Sequence, residues 1–348
     1  MNDATPAIRT ASLTRRYDDV VALDGVDLTV EPGSVVGLLG HNGAGKTTLV
    51  RILTTLLQPT DGTAEVCGFD VTASPTEVRA RIGLTGQYVA VDEALTGREN
   101  IELVARLLGL PPAQVRARAG ELLAELGLDD HGDRLARRYS GGLRRRLDLA
   151  ASLVSRPEVL FLDEPTTGLD PTSRQQLWES ISQLARSGTT VLLTTHYLEE
   201  ADRLADRIVL IDQGAIVAEG TPWELKRRVG GYMIDLTLAD TGERDRAAQA
   251  LQTLATAPPA ASGERRLSVP IADTETVLPA LRSLDAAGVT VAGLEVHTPT
   301  LDDVFAAITG QAAERESTQG SDDPTAHERT AARRGPQRRR RAGGRQRA

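Results

Sequence analysis

Apolar positions change their period several times along the chain, and each change marks an element. Val26, Leu28 and Val30 alternate with Asp27 and Thr29, the two-residue period of a half-buried strand. Glu31–Gly33 reads as a turn, and residues 34–39 (SVVGLL) form a continuous apolar strand. A glycine-rich turn then leads into a helical stretch predicted over about 46–57, ended by Pro59 and Gly62. Apolar spacing in IELVARLLGL and ELLAELGL predicts a mainly helical region over roughly 98–156. Two more buried strands, VLFLD at 159–163 and TVLLTT at 190–195, flank a helix near 172–186. Strands alternating with helices predict an α/β fold with a largely parallel sheet, into which the 98–156 block is inserted.

A second pattern opens at Gly230 and Gly231. Strand-like 234–238, helix-like 244–255, strand-like 266–272, helix-like 274–288 and strand-like 289–296 predict a small α+β domain over 229–310. Thr300 is placed to cap a short helix, with Asp302 and Asp303 in its first turn and Gly310 beyond its end. Residues 311–348 are polar, Arg-rich and poor in apolar side chains, which predicts disorder.

Composition narrows the classes. At 348 residues the chain suits two domains with appendages, and with aromatics at 3% its core must rest on Leu, Val, Ile and Ala. The single cysteine, Cys67, excludes a disulfide framework, a zinc cluster and a CxxC pair, and reads as a small buried residue. His131, His297 and His327 lack metal-ligand spacing, and Trp178 and Trp223 read as packing residues. The start has no secretory signal, and no apolar run approaches the ~18 residues of a membrane span. A cytosolic protein is expected, reaching a membrane only through a partner.

Net charge is −8, yet residues 329–348 carry nine arginines and no acid, so residues 1–328 carry −8 − 9 = −17. The acidic body is a poor general polyanion binder, and no specific nucleic acid is expected. The tail reads as a solvated segment, with contact to anionic lipid or nucleic acid as alternatives. Lysine occurs only at Lys46 and Lys226, which makes Lys46 conspicuous.

Gly40–Thr47 (GHNGAGKT) fits G-x-x-x-x-G-K-[ST] in full. The glycines let backbone N–H groups curl around phosphate oxygens, and the following helix adds its positive end. In such a loop Lys46 reaches the β- and γ-phosphates and the Thr47 hydroxyl binds Mg²⁺. For His41 and Asn42 the backbone matters more than the side chain. Asp163 and Glu164 end the apolar strand at 159–163, where a parallel sheet collects its ligands. Asp163 is placed to hold Mg²⁺ and Glu164 to orient or deprotonate an attacking water.

On these motifs residues 8–228 resemble the ATP-binding subunit of ABC transporters. The resemblance implies a P-loop NTPase core with a helical subdomain near 88–156, ATP and Mg²⁺ as cofactors, and a nucleotide-binding set including Gly40, His41, Asn42, Gly43, Ala44, Gly45, Lys46, Thr47 and Thr48. YSGGLRRR at 139–146 resembles the LSGGQ signature loop, departing at Tyr139 and Leu143 but keeping Ser140, Gly141 and Gly142. In the family this loop completes the site of the opposite subunit. Tyr17 matches the residue that stacks on adenine, a core tyrosine being the alternative. Gln87 matches the glutamine that touches Mg²⁺ and relays nucleotide state, although a lone glutamine is ordinarily a surface residue. Asp170, in TTGLDP, matches the loop that meets the other subunit. His196 matches the histidine that contacts the γ-phosphate, or else is a plain cap.

TPTLDDVFAAITG at 298–310 and YSGG followed by LRRRLDLA are similar to ATPases of the daunorubicin-resistance type. That similarity implies a separate ABC-2 type integral-membrane permease, a homodimer at the cytoplasmic face of the membrane, and export of a hydrophobic drug. Related subunits export polysaccharides or lipids, and the 229–310 unit could simply stabilise a dimer. A non-transport ABC ATPase is the remaining rival. Translation factors of that kind usually carry two phosphate loops, and repair ATPases a long coiled coil. Here one loop is present, and 95 residues without sustained heptads separate Gly45 from Ser140.

Overall fold

The computed structural model describes residues 5–86, 91–229, 231–261, 263, 265–305 and 307. It opens with β1 (Ile8–Tyr17) and β2 (Val20–Val30), followed by β3 (Val35–Leu39) and α1 (Lys46–Leu53). β4 (Asp61–Val66) and β5 (Phe69–Asp70) complete an antiparallel sheet of order β2-β1-β4-β5. After α2 (Pro75–Arg79) and β6 (Ile82–Thr85) comes the helical block: α3 (Gly97–Leu107), α4 (Pro112–Glu125) and α5 (Gly141–Ser152). The chain returns through β7 (Val159–Asp163), α6 (Pro171–Arg186), β8 (Thr190–Thr195), α7 (Leu198–Leu204), β9 (Arg207–Asp212) and β10 (Ala215–Gly220).

The main sheet has the order β10-β9-β3-β8-β7-β6, with every pairing parallel except that of the edge strand β10. All residues of β3, β7 and β8 are buried. Such strands have both faces covered, which is why they read as unbroken apolar runs. One core, including Leu23, Leu49, Ile52 and Phe161, lies between this sheet and the antiparallel one. A second, including Ile101, Leu122, Leu147 and Ile181, joins the helical block to α6. Register sets Leu39 beside Thr195 and Asp163 beside Thr194, so three strand ends meet at one edge.

Beyond α8 (Pro222–Val229) lies a βαββαβ run: β11 (Tyr232–Leu238), α9 (Arg244–Leu251), β12 (Ala260–Ala261), β13 (Arg266–Ile271), α10 (Val277–Ala286) and β14 (Val291–His297). Its sheet is antiparallel, of order β12-β13-β11-β14. Ile234, Leu236, Leu251, Val269 and Leu284 share its core. Thr300 and Asp303 cap the following helical turn reciprocally: Asp303 N donates to the Thr300 hydroxyl (3.3 Å), and Thr300 N donates to Oδ2 of Asp303 (2.7 Å).

Several expectations need correction. α1 stops at Leu53, not near 57, because the Thr54 hydroxyl bonds back to Val50 O and Thr55 turns to φ +63°. The helix placed at 244–255 ends at Leu251. Trp223 is 63% exposed with Arg227 over its ring, so it is no packing residue; Trp178 is buried. Cys67 is only half-buried, in the β4–β5 turn at φ +52°, and burial pushes its thiol up to about 11. Gln87, Gly310, His327 and the 311–348 tail lie outside the described residues.

Candidate functional site

The loop between β3 and α1 fits only because two of its residues lack a side chain. A Cβ on Gly45, at φ +111°, would sit 2.5 Å from Ala22 O and 2.9 Å from a Leu23 methyl. One on Gly40 would run into the carbonyl of Ile211. Gly45 also occupies the N-cap position of α1, whose first turn holds no acid and no side-chain cap, leaving its amides directed at the loop. The buried Lys46 Nζ donates to Gly40 O (2.7 Å) and His41 O (3.0 Å). Burial pulls its pKa below the ordinary lysine value, against the opposing pull of Glu164 and Asp163. Ala22, Asn42, Gly43, Gly45, Lys46, Thr47, Thr48 and Glu164 line a cavity of about 300 Å³ here. Another, of about 390 Å³, lies near Pro157 and Thr189, before β7 and β8 begin, away from these strand ends.

Two hydroxyls face the Asp163 carboxylate. The Thr194 hydroxyl donates to Oδ1 at 2.5 Å, and that of Thr47 lies 3.4 Å from the same oxygen. Among the described residues no cluster of three or more His, Cys, Asp or Glu could hold a metal. One carboxylate and one hydroxyl suit Mg²⁺, which keeps waters and takes substrate phosphates as its other ligands. Glu164 sits at φ +51°, a left-handed backbone of the kind that concentrates at functional sites and costs on the order of 1–3 kcal/mol. Its N–H donates to the carbonyl (3.0 Å) and hydroxyl (3.1 Å) of Thr194. Its carboxylate accepts from the Thr167 hydroxyl (3.2 Å) and lies 3.3 Å from His196 Nδ1. The His196 ring rests on Tyr197, with centroids 4.1 Å apart.

The remaining candidates do not line this cavity. Tyr17, 40% exposed at the end of β1, has the Arg15 guanidinium 4.6 Å over its ring. Ser140 caps α5, its hydroxyl accepting from Leu143 N at 3.3 Å. A Cβ on Gly142 would strike the Ser173 side chain, and Ser173 in turn donates N–H (3.0 Å) and hydroxyl (2.6 Å) bonds to Asp170. Those bonds lower the Asp170 pKa. Ser140, Gly141, Gly142, Asp170, Tyr17 and His196 are not among the described residues lining the cavity. Tyr139 fits the signature position by burying its ring while its hydroxyl donates to His131 O (2.6 Å).

Sequence reasoning missed three supports. Thr194 holds Asp163. The His41 side chain does matter, since Nε2 lies 2.7 Å from Asp212 Oδ1 and pins the loop to the end of β9. Arg145 bonds the backbone around Glu164. A threonine-rich strand end (Thr194, Thr195) was the one visible signal for the first; the others depend on tertiary contacts.

Residues 23–167 match the model of the family described as ABC transporter. A daunorubicin resistance ATP-binding protein of Streptomyces coeruleorubidus is 53% identical over 310 residues, covering 88% of this chain and 96% of that protein. A Nod factor export ATP-binding protein of Ralstonia nicotianae is 38% identical over 314 residues, covering 88% and 95%. Among solved structures, a dimeric ATP-binding cassette holding ADP and Pi after hydrolysis matches with TM-score 0.57 and 25% identity, over 62% of this chain and 98% of that one. Fold, phosphate loop and paired strand-end acids thus define an ABC ATPase. The chain belongs to the ABC transporter ATP-binding family, and it binds ATP. Among the described residues no helix is long and apolar enough to cross a membrane.

Proposed function

We propose that this chain energises export of a hydrophobic drug or antibiotic through a separate ABC-2 type permease, acting as a homodimer at the cytoplasmic face of the membrane. The observation that carries this reading is the reach of the likeness. A 310-residue alignment at 53% identity cannot fit within residues 1–228, so it extends from the ATPase core into the proposed accessory domain at 229–310. Two solved structures of ABC transporter ATP-binding components cover 64% and 65% of the chain.

In this reading Lys46 and the loop amides hold the β- and γ-phosphates, and Tyr17 stacks on adenine. Thr47, Asp163 and Gln87 hold Mg²⁺, which when bound neutralises charge on the phosphates. Glu164 takes the proton of the attacking water, and its left-handed backbone and the bond from Thr167 aim the carboxylate. His196, 3.3 Å from the Glu164 carboxylate, contacts the γ-phosphate. The chain supplies no covalent nucleophile, so positioning and charge carry the reaction. Ser140–Gly142 and Asp170 serve the nucleotide held by a second copy, consistent with their absence from the lining of their own cavity.

The test is ATP-driven accumulation of daunorubicin in inside-out vesicles carrying this chain and its permease. Accumulation lost in Glu164→Gln is the expected result. Vesicles that hydrolyse ATP but leave the drug outside overturn the drug reading. The likeness to a Nod factor export protein supports a second reading, in which the exported cargo is not a drug.

A further inference from the structure

Arg145 follows Ser140 by five residues on α5, and its side chain is 7% exposed. Its fork is used almost entirely on backbone carbonyls. Nε donates to Pro165 O (2.7 Å), Nη1 to Gly86 O (2.6 Å), and Nη2 to Asp163 O and Glu164 O (3.2 Å each). Nη1 also lies 3.5 Å from the Asp148 carboxylate, one turn along the helix. Three of the four carbonyls belong to the consecutive residues 163–165, whose middle member has the left-handed backbone. The fourth immediately precedes Gln87 in the chain.

These carbonyls stand where β7 and β6 end and the chain leaves the sheet, so a buried polar group there needs a partner from outside the ladder. A planar guanidinium supplies five donors in a fixed geometry and can serve several carbonyls at once; a lysine ammonium cannot reach the same set. Burial lowers the Arg145 pKa, while Asp148, Asp163 and Glu200 oppose the shift. The guanidinium stays charged at neutral pH.

We propose that Arg145 is a positioning residue that locks the helix headed by Ser140–Gly142 to the backbone turn aiming Glu164 and to Gly86. A shift of the signature loop then moves the Glu164 carboxylate of the same chain, and Glu164 keeps its aim only while α5 is seated. This inference rests on the reading of Glu164 as the group that activates water.

The test is a double-mutant cycle on the full chain with Arg145→Lys and Glu164→Gln, read by ATP binding and by single-turnover hydrolysis. Misaiming a reacting group by ~1 Å can lower a rate on the order of 10²-fold. We expect Arg145→Lys to keep ATP affinity within about threefold and to lose about 10²-fold in hydrolysis rate. On the Glu164→Gln background the same change should remove less than about threefold more, because the group it positions is gone. A loss of about 10²-fold on both backgrounds overturns the proposal, as does a hydrolysis rate within about threefold of wild type in Arg145→Lys alone. If Arg145→Lys does not give a cooperative melt, Arg145→Gln, which retains two N–H donors on one nitrogen and loses the charge, is carried through the same cycle. Near-normal turnover in Glu164→Gln alone overturns the role given to Glu164, a failure separate from that of Arg145.

Discussion

The carboxyl edge of the six-stranded sheet and the four-stranded sheet beyond residue 232 treat polar groups in opposite ways. Around β3, β7 and β8 the buried side chains include Lys46, Asp163, Arg145, Asp148, Thr194 and Glu200. Among the described residues beyond Glu200, no polar or charged side chain is buried. Left-handed non-glycine backbone occurs in several turns before the second sheet and at Glu164 on this edge, whereas no described non-glycine residue after Gln213 has positive φ. Desolvated charge and strained backbone destabilise a fold, so they persist where chemistry requires them. The second sheet shows neither, and its core is a plain apolar contact between strands and two helices. Chemistry is concentrated in one region, and the other is built for shape.

The largest effect that sharpens this contrast is at Glu164. Glu164→Gln should retain ATP binding and lose turnover by ~10²–10⁴-fold, the usual range for removing a general base. Lys46→Ala should weaken nucleotide binding itself, because the ammonium proposed to meet the phosphates is lost. Equilibrium binding and steady-state hydrolysis separate the two outcomes. A Glu164→Gln variant with near-normal turnover would remove the chemical reason for the strained residue.

Next is the division of one site between two chains. Lys46→Ala damages the phosphate loop, and Ser140→Arg fills the place proposed for the partner's phosphate. If each site is composite, a mixed dimer holds one site with both defects and one with neither, so it traps labelled ATP although neither variant alone does. Absence of trapping in verified mixed dimers would return Ser140 to the role the structure shows directly, a cap on α5.

In the second sheet the expected effect is on stability and not on turnover. Leu236, 1% exposed in the middle strand β11, packs within the apolar core. Leu236→Ala should cost about 2–5 kcal/mol by the usual cavity penalty. Hydrolysis at temperatures where the chain is folded should stay within about twofold. A tenfold loss of turnover there would break the contrast and tie the second sheet to the reaction.

The same division explains what could be read from the sequence. Phosphate geometry fixes the spacing from Gly40 to Thr47, and doubly covered strands must be apolar, so the loop, β3, β7, β8 and both strand-end acids were legible. β1 and β2 were harder, because bulges between Thr10 and Arg16 break the two-residue period. The early end of α1 depends on one left-handed threonine, not on a proline. Arg145, Thr194 and the His41–Asp212 contact act across separations of 18 to 171 residues, which no local period records. Arg145 looked like one arginine among thirty-eight until the fold placed it under Glu164.

The smallest effect concerns a buried acid that the proposed reaction does not use. Glu200 is fully buried, and Trp178 Nε1 donates to its Oε1 at 2.9 Å. Burial raises its pKa above the ordinary carboxylate value, and the Trp178 bond and the Arg174 charge only partly oppose the shift. An acid whose folded pKa exceeds its unfolded one binds more protons when folded, so its contribution falls as pH rises. The loss begins near the unfolded value and is complete above the folded one. Glu200→Gln keeps an oxygen for Trp178 and removes the titrating group. It should therefore raise the melting temperature at alkaline pH, with the gain shrinking as pH falls toward the carboxylate range. Turnover should change little, since Glu200 does not line the phosphate-loop cavity. Melting curves across pH decide the point. A variant less stable than wild type at every pH would mean that the Glu200 charge is matched by its surroundings, and that buried charge at this sheet edge stabilises the fold.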